Sequence, residues 1–405
     1  MRVGIEKISL YAGQFYLDMA ELAQVRGYDQ GYIASRLMCE RRSVYPPFED
    51  AVTLAVNAAK RLLSADDFED IELLMVGTES AVDFGKPIST WVHRFCNLKA
   101  NCRNFEVKHA CYGSTGALKM AASWVAAFPS KKALVISSDL SRRFVNSVHE
   151  PLGGGCAVAM LVSANPQVLE LELDKTGYWT EEIYDTFRPT SSTEIITGQI
   201  SMYSYLDALE GAYEHYEQLV GQVDYDADFK KHIYHAPFPG MTFQAHRTML
   251  SRFKRTSKAA ATLSWKLKVE EGLSFAKHVG TCYGASNFVS LLSLLNSATD
   301  LKRGDKISLF AYGSGCQGEF YHGIIGPAAI ELVCSAGIEP YLKQRQRLSV
   351  EEYEANELMR ERYIDAANYE PQGTSGSNVA YKPYKDRGLL VLKQVEEYQR
   401  KYGWS

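Results

Sequence analysis

Val107-Lys108-His109-Ala110-Cys111-Tyr112-Gly113-Ser114-Thr115-Gly116-Ala117-Leu118 is the stretch whose reading decides the fold of this 405-residue chain. A cysteine followed by small residues, then by Ala117, Leu118, Ala121, Ala122 and Ala126 at helical spacing, predicts a sulfur at the start of a closely packed helix. The unpaired N–H groups and macrodipole at such a start favour a thiolate, which is how a nucleophile is built. A cysteine buried only for packing has the same local sequence, so the neighbours must decide.

Working outward, Lys131-Lys132 ends the helix and Ala133-Leu134-Val135-Ile136-Ser137-Ser138-Asp139 reads as a buried strand. Residues 157–162 form another, across Glu150-Pro151 and Gly153-Gly154-Gly155. Upstream, Glu49-Asp50 opens a helix with Ala51, Leu54, Ala55, Ala58 and Leu62 in phase, and residues 10–37 read as helical and Tyr-rich. Ile71-Glu72-Leu73-Leu74-Met75-Val76 is a core strand ending in Gly77-Thr78-Glu79-Ser80. Glu79 therefore lies past a strand's carboxyl end, the edge where open α/β sheets bind ligands, although a lone loop glutamate is usually just solvated. Strands alternating with helices and bounded by Gly turns predict an α/β sheet with covered faces. Residues 168–173 alternate apolar with acidic and are expected as a half-exposed edge strand closing the first half, 1–165.

The second half, 166–405, opens with the loop Phe187-Arg188-Pro189-Thr190-Ser191-Ser192-Thr193 and a helical pattern from Ser201 through Tyr216. His232-Ile233-Tyr234-His235-Ala236-Pro237 is a strand broken at Pro237, leaving His235 at its end. Histidines three apart on an extended segment face opposite sides, so they do not converge on a metal. Residues 284–296 form an apolar helix and 307–312 a strand. Gly313-Ser314-Gly315-Cys316-Gln317-Gly318 is literally GxGxxG, but another strand follows where a dinucleotide fingerprint needs a helix. A hairpin turn open to close backbone approach fits instead. Ser349-Val350-Glu351-Glu352 is a capping box, and residues 390–402 are expected as a last helix packing through Val391, Val395 and Tyr398. No fixed-period repeat is visible, yet both halves run buried helix, strand, glycine turn, strand.

A charged share of 23% and a net charge of −4 give no global electrostatic argument for nucleic acid. No uninterrupted apolar run approaches membrane-spanning length, and a cytoplasmic location is expected. The cysteines (39, 96, 102, 111, 156, 282, 316, 334) contain no CxxC pair, against both a disulfide framework and a zinc ribbon. Each must be judged alone.

Four separated segments carry a resemblance: Gly77-Thr78-Glu79-Ser80, Ala110-Cys111-Tyr112-Gly113, His235-Ala236-Pro237-Phe238 and Tyr312-Gly313-Ser314-Gly315. In this order and spacing they resemble the 3-hydroxy-3-methylglutaryl-CoA synthase family of the thiolase superfamily. The resemblance implies a duplicated thiolase fold, layered helix/sheet/helix/sheet/helix with buried central helices, and a homodimer. It implies Cys111 as the nucleophile that takes an acetyl group from a thioester. Glu79 is implied as the acid/base that enolises the acetyl group and reprotonates the alkoxide, a double role that needs burial among Tyr, Phe and Leu to raise its pKa. His235 is implied to orient the acceptor ketone, and Ser314 with Gly313 to hydrogen-bond the acceptor.

The departures are informative. Residues 239–246 contain none of the lysines with which CoA-using members meet the CoA phosphates; Gly280-Thr281 stands where they have Gly-Asn; and Arg143 replaces a tyrosine that contacts the acceptor. Ser201-Met202-Tyr203-Ser204-Tyr205-Leu206, Ala245-His246-Arg247-Thr248-Met249 and Arg400-Lys401-Tyr402-Gly403-Trp404 are similar to the subgroup that performs polyketide β-branching in curacin-type pathways. Ser201, Thr281 and Arg143 are thus further candidates for substrate binding. That subgroup takes acetyl from a donor acyl carrier protein and adds it to a β-ketone on an acceptor carrier protein. No tightly bound cofactor and no metal are implied; the phosphopantetheine of the carrier protein, or CoA, brings the substrate. Carrier proteins are acidic, so Arg36, Arg41 and Arg42, or Arg252, Lys254, Arg255 and Lys258, are candidate docking residues, with a plain solvated charge run as the alternative. A CoA-dependent synthase and a non-catalytic docking scaffold are the competing readings; the scaffold has no need of Cys111, Glu79 and His235 together.

Overall fold

A computed structural model describes residues 2–141, 145–253, 255–371 and 379–405. Nine strands make one sheet: β1 (Gly4–Tyr11), β2 (Ile71–Gly77), β3 (Arg103–Val107), β4 (Lys132–Leu140), β5 (Gly155–Ser163), β6 (Leu169–Thr180), β7 (Lys231–Tyr234), β8 (Lys306–Gly313) and β9 (Gln317–Ile325). Their order is β7-β8-β9-β6-β1-β5-β4-β2-β3. β2 runs parallel to β3 and β4, and β7 parallel to β8, while the remaining neighbours are antiparallel. The two halves are joined narrowly, through Gly4 opposite Glu170 and Ile5 opposite Leu169.

The helices that position the site are α1 (Ala51–Leu62), α2 (Gly113–Ala127), α3 (Gly198–Val220), α4 (Met241–Phe253) and α5 (Ser286–Ser297). α2 and α5 bury their apolar residues in one common cluster, with Ala117, Ala121 and Ala122 on one and Phe288, Val289 and Leu292 on the other. Small residues on α2 let it lie deep against the sheet, which is why its pattern lacks a polar face. The shared order of the halves is visible as α2-β4-β5 and α5-β8-β9, each a buried helix followed by an antiparallel strand pair. The Gly313 segment is the β8–β9 turn, as its sequence predicts, and not a phosphate loop.

Local sequence explains the helix starts. Asp50 accepts from the Thr53 amide at 3.0 Å and Thr53 returns a bond to the Asp50 amide at 2.9 Å, a reciprocal cap on α1. Ser349 and Glu352 do the same for the helix Val350–Arg362.

Three expectations are corrected. Residues 10–37 are only partly helical: β1 runs to Tyr11, a strand Phe15–Asp18 follows, and helix begins at Met19 under an Asp18 cap. Residues 168–173 do not form an edge, because β6 sits inside the sheet between β9 and β1. The acids that suggested exposure are paired instead, Glu170 with Arg2 at 2.7 Å and Glu172 with Lys175 at 2.6 Å and with His322. The expected last helix is a hairpin, Leu390–Glu396 with Gln399–Trp404, reversing at Glu397 and Tyr398, both at positive φ. Val391 and Val395 are buried as expected, whereas Tyr398 is exposed.

This hairpin packs on the first half. Asn57 of α1 donates to the Leu390 carbonyl at 3.1 Å and accepts from its amide at 2.8 Å, two buried bonds worth about 1 kcal/mol each. The strand Gln346–Leu348 likewise pairs with Phe15–Asp18. Among the described residues no helix is long and apolar enough to cross a membrane.

Candidate active site

The start of α2 is where the site is assembled. Tyr112 and Gly113 donate to the His109 carbonyl at 2.9 and 3.1 Å, forming a turn just before the helix, and Ala110 within it holds φ +39°. A left-handed alanine costs roughly 1–2 kcal/mol and marks a backbone held by its surroundings. Cys111 follows directly.

Two glycines from the second half close on this turn. A methyl group at Gly313 would lie 2.6 Å from the Tyr112 amide nitrogen and 2.7 Å from the His109 carbonyl oxygen. One at Gly284 would lie 2.8 Å from the Cys111 carbonyl oxygen and 2.6 Å from Ser114 Oγ. Only a residue without Cβ lets backbone approach backbone this closely. Gly284 stands two residues before Ser286, whose hydroxyl lies 2.7 Å from His235 Nδ1. The short segment entering α5 thus touches both the Cys111 backbone and the His235 ring.

His235 is fixed at every polar atom of its backbone: its amide donates to the Phe310 carbonyl at 2.7 Å, and its carbonyl accepts from Tyr205 at 2.8 Å. Burial pushes the imidazole down to about 3, so it is neutral near pH 7. Ser286 Oγ accepts from the Ala236 amide at 3.3 Å and lies 3.5 Å from Asn287 Oδ1. When its hydrogen goes to Nδ1, the ring proton sits on Nε2. His232 goes elsewhere, with Nδ1 2.7 Å from Ser308 Oγ and its ring stacked on Tyr225.

Glu79 follows β2 as expected. Its amide donates to Asp139 Oδ1 at 2.9 Å, and Thr78 and Ser80 hydroxyls reach the same oxygen at 3.0 and 2.9 Å. Burial raises the Asp139 carboxyl above its usual range against these bonds. The apolar lining expected around Glu79 is not its main environment: Arg188 Nη2 lies 3.5 Å from its carboxylate and Arg188 Nη1 donates to its carbonyl at 3.2 Å. Arg188 also donates to Tyr283 Oη at 2.6 Å and pairs with Glu194 at 3.2 Å.

The thiolate expectation is corrected too. Cys111 keeps some surface open, but enclosure of its sulfur pushes the thiol well above the ordinary range, and Glu79 and Asp139 push it further. The macrodipole is outweighed by desolvation and nearby negative charge. Both effects favour the thiol form of Cys111.

Among the other candidates, Thr281 joins the His235 strand end by donating to the Pro237 carbonyl at 2.7 Å. Ser314 is half-buried beside Gly313, in a turn held by Asp185, which accepts from Tyr312 at 2.8 Å and from the Gly315 amide at 3.0 Å. Ser201 is tied instead to Thr186, at 3.1 Å. Arg143 and Lys254 lie outside the described residues. Arg36, Arg252, Arg255 and Lys258 are exposed and Arg41 is half-buried over Tyr16. Arg42 is excluded as a docking residue: it is 2% exposed, donates to the Glu150 carbonyl and lies over the Tyr353 ring. Sequence reading missed Arg188, Glu194, Asp139, Asp185 and Tyr205 as site residues. The only trace was an Arg-Pro pair in a Ser/Thr-rich loop, which carries no periodic signal.

Comparison with known proteins gives the family and the fold. The family models described as Hydroxymethylglutaryl-coenzyme A synthase N terminal and C terminal match residues 1–167 and 242–404. The chain is 36% identical to the polyketide biosynthesis 3-hydroxy-3-methylglutaryl-ACP synthase PksG of Bacillus subtilis (strain 168), over 99% of each chain. It is 34% identical to the hydroxymethylglutaryl-CoA synthase of Enterococcus faecalis, over 88% of this chain and 91% of that one. Among solved structures, the curacin biosynthetic pathway HMG synthase in complex with acetyl donor-ACP superposes with a TM-score of 0.94 at 38% identity, covering all of both chains. The thiolase fold of those synthases is therefore the fold of this chain. With both family models matched across more than half of its length, the chain belongs to the hydroxymethylglutaryl-coenzyme A synthase family of acyl-transferring, carbon–carbon bond-forming enzymes.

Proposed function

We propose that this enzyme takes an acetyl group from a donor acyl carrier protein and adds it to the β-ketone of a polyketide intermediate held on an acceptor carrier protein. The supporting observations are that the segment just before Ser286, whose hydroxyl touches His235, abuts the Cys111 backbone at the start of α2, and that the Glu79 carboxylate is close enough to act on the Cys111 thiol. The Cys111 thiol attacks the thioester carbonyl, and its proton ends on the departing pantetheine thiolate. Glu79 then removes a proton from the acetyl methyl group, and the resulting enolate forms a bond to the ketone carbon. His235 donates through Nε2 to the ketone oxygen as negative charge develops on it. Protonated Glu79 returns the proton to the alkoxide. Water finally cleaves the Cys111 thioester, leaving a free carboxylate on the product and the thiol on Cys111.

Delivery by a carrier protein rather than by free CoA is supported by the segment after His235. It turns directly into α4 at Met241, and residues 239–246 carry no lysine for a nucleotide phosphate. Phosphopantetheine on the carrier protein brings the substrate. Arg36 supports docking beside this segment, because the Gly240 amide donates to the adjoining Leu37 carbonyl at 3.2 Å. Arg252, Arg255 and Lys258 extend the basic surface from the end of α4. We place the boundary between the two halves at 165/166, just before β6 crosses to the second. A homodimer has a natural seam at β3, the edge strand of the sheet, where Phe105 is exposed.

The test is acetyl transfer followed by mass spectrometry of the Cys111 peptide. Acetylated carrier protein is expected to label Cys111 much faster than acetyl-CoA at equal concentration. Equal labelling by acetyl-CoA would favour the CoA-dependent reading, and labelling by neither would favour a scaffold. Glu79→Ala is expected to acetylate and fail to condense; normal condensation would remove Glu79 as the base.

A further inference from the structure

We propose that Arg188 is a positioning residue for the condensation step, a guanidinium shared between Glu79 and Glu194 that holds the base in place and keeps a carboxylate partner when Glu79 is protonated. The inference rests on the reading of Glu79 as the base. Arg188 grips Glu79 at both ends, through the carbonyl at 3.2 Å and the carboxylate at 3.5 Å. A loop glutamate held this way keeps one orientation toward the substrate through repeated proton transfers. Pro189 restrains the Arg188 backbone to an extended form, and the Tyr283 ring lies 4.9 Å beneath its guanidinium carbon. The side chain is largely buried, at 13% exposure, and its Nε–H has no acceptor among the described residues.

Glu194 makes the arrangement suited to a base that cycles. When Glu79 takes a proton from the acetyl methyl group it becomes neutral, and an arginine with no other anion would be left as an unpaired buried charge. Here the charge stays opposed by Glu194 at 3.2 Å, whose own side chain is 3% exposed. The titratable groups facing this pair are Cys111 before α2, Asp139 at the end of β4, Tyr283 before α5 and Glu194 in the Arg188 loop.

The proposal is tested by single-turnover condensation on enzyme already acetylated at Cys111, followed across pH. Arg188→Gln is expected to condense on the order of 100-fold more slowly, a much larger loss than in its acetylation, where Arg188 acts only through its charge near the Cys111 thiol. The acid limb of its pH profile should move up by about one unit, since a stabilising cation is lost. Arg188→Lys should recover a large part of the rate. Glu194→Gln should move the same limb down, because the guanidinium charge then falls on Glu79 alone. Shifts in the same direction for the Gln variants at 188 and 194, or acetylation and condensation falling in parallel, would overturn the proposal. Glu79→Ala is run alongside, and normal condensation there would show that the base assignment, not the placement of Arg188, had failed.

Discussion

Replacing Gly313 by alanine tests whether the β8–β9 turn seats the nucleophile. The added methyl group would lie 2.6 Å from both the amide nitrogen and Cβ of Tyr112 and 2.7 Å from the His109 carbonyl oxygen. Reaching ordinary contact requires a movement of about 0.8 Å. Tyr112 cannot yield freely, because its hydroxyl donates at 2.6 Å to Glu319, a buried carboxylate that also faces Lys119 at 3.4 Å. The turn cannot retreat either, being tied through Tyr312 and Gly315 to Asp185. Overpacking of this kind costs about 1–3 kcal/mol of stability, and a displacement near 1 Å at a reacting atom costs about 100-fold in rate. Gly313→Ala is therefore expected to remain folded with a melting temperature lowered by a few degrees, while Cys111 acetylation slows by roughly two orders of magnitude. Thermal melting and timed acetylation by mass spectrometry read the two effects. Gly198→Ala is the control, since a methyl group there meets nothing within 4 Å. Acetylation of Gly313→Ala within about threefold of the control would refute the argument that this turn positions the cysteine.

Three further predictions concern buried His246, exposed Arg36 and buried Arg42. Burial lowers His246 to about 4, with Tyr234 3.0 Å from Nδ1 and Ser264 2.9 Å from Nε2, so it folds neutral. Its contribution is full above the unfolded value near 6.5 and is lost as pH falls toward 4. The stability difference between wild type and His246→Gln should shrink by on the order of 2 kcal/mol between pH 7 and 5, and a constant difference in urea unfolding would contradict it. Arg36→Glu should raise the KM for acetylated carrier protein several-fold at low salt and leave melting unchanged. Arg42→Ala should instead lower the melting temperature, because it strips the Glu150 carbonyl and the Tyr353 ring of a buried partner; the reverse pattern would restore Arg42 to the docking surface.

Much of the architecture was legible because it is written in local periodicity and capping. The α2 pattern, the Asp50 cap, the Ser349 capping box and the hairpin character of the Gly313 turn are all short-range features, and the structure has each where the sequence places it. The failures were of another kind. Residues 390–402 have apolar positions compatible with either a helix or strands, and pairing across Glu397 and Tyr398 decided for strands. Glu170 looked solvated because its partner Arg2 is far away in the chain, and Glu172 because its contact with His322 is equally distant, although Lys175 lies only three residues on. Arg42 looked like surface charge for the same reason.

Within the site, the chain by itself determined the residue types: a cysteine before a helix, a glutamate past a strand, a histidine at a strand end, and glycines small enough to be pressed against another backbone. Those depend on identity and on neighbours a few residues away. Only the tertiary structure decided the state in which they work. It enclosed Cys111 so that the thiol is favoured over the thiolate, emptied His235 of charge, and set Arg188 between Glu79 and Glu194. Protonation and orientation are set by solvent exclusion and by charges within a few ångströms, and those distances exist only once the two halves have closed on the start of α2.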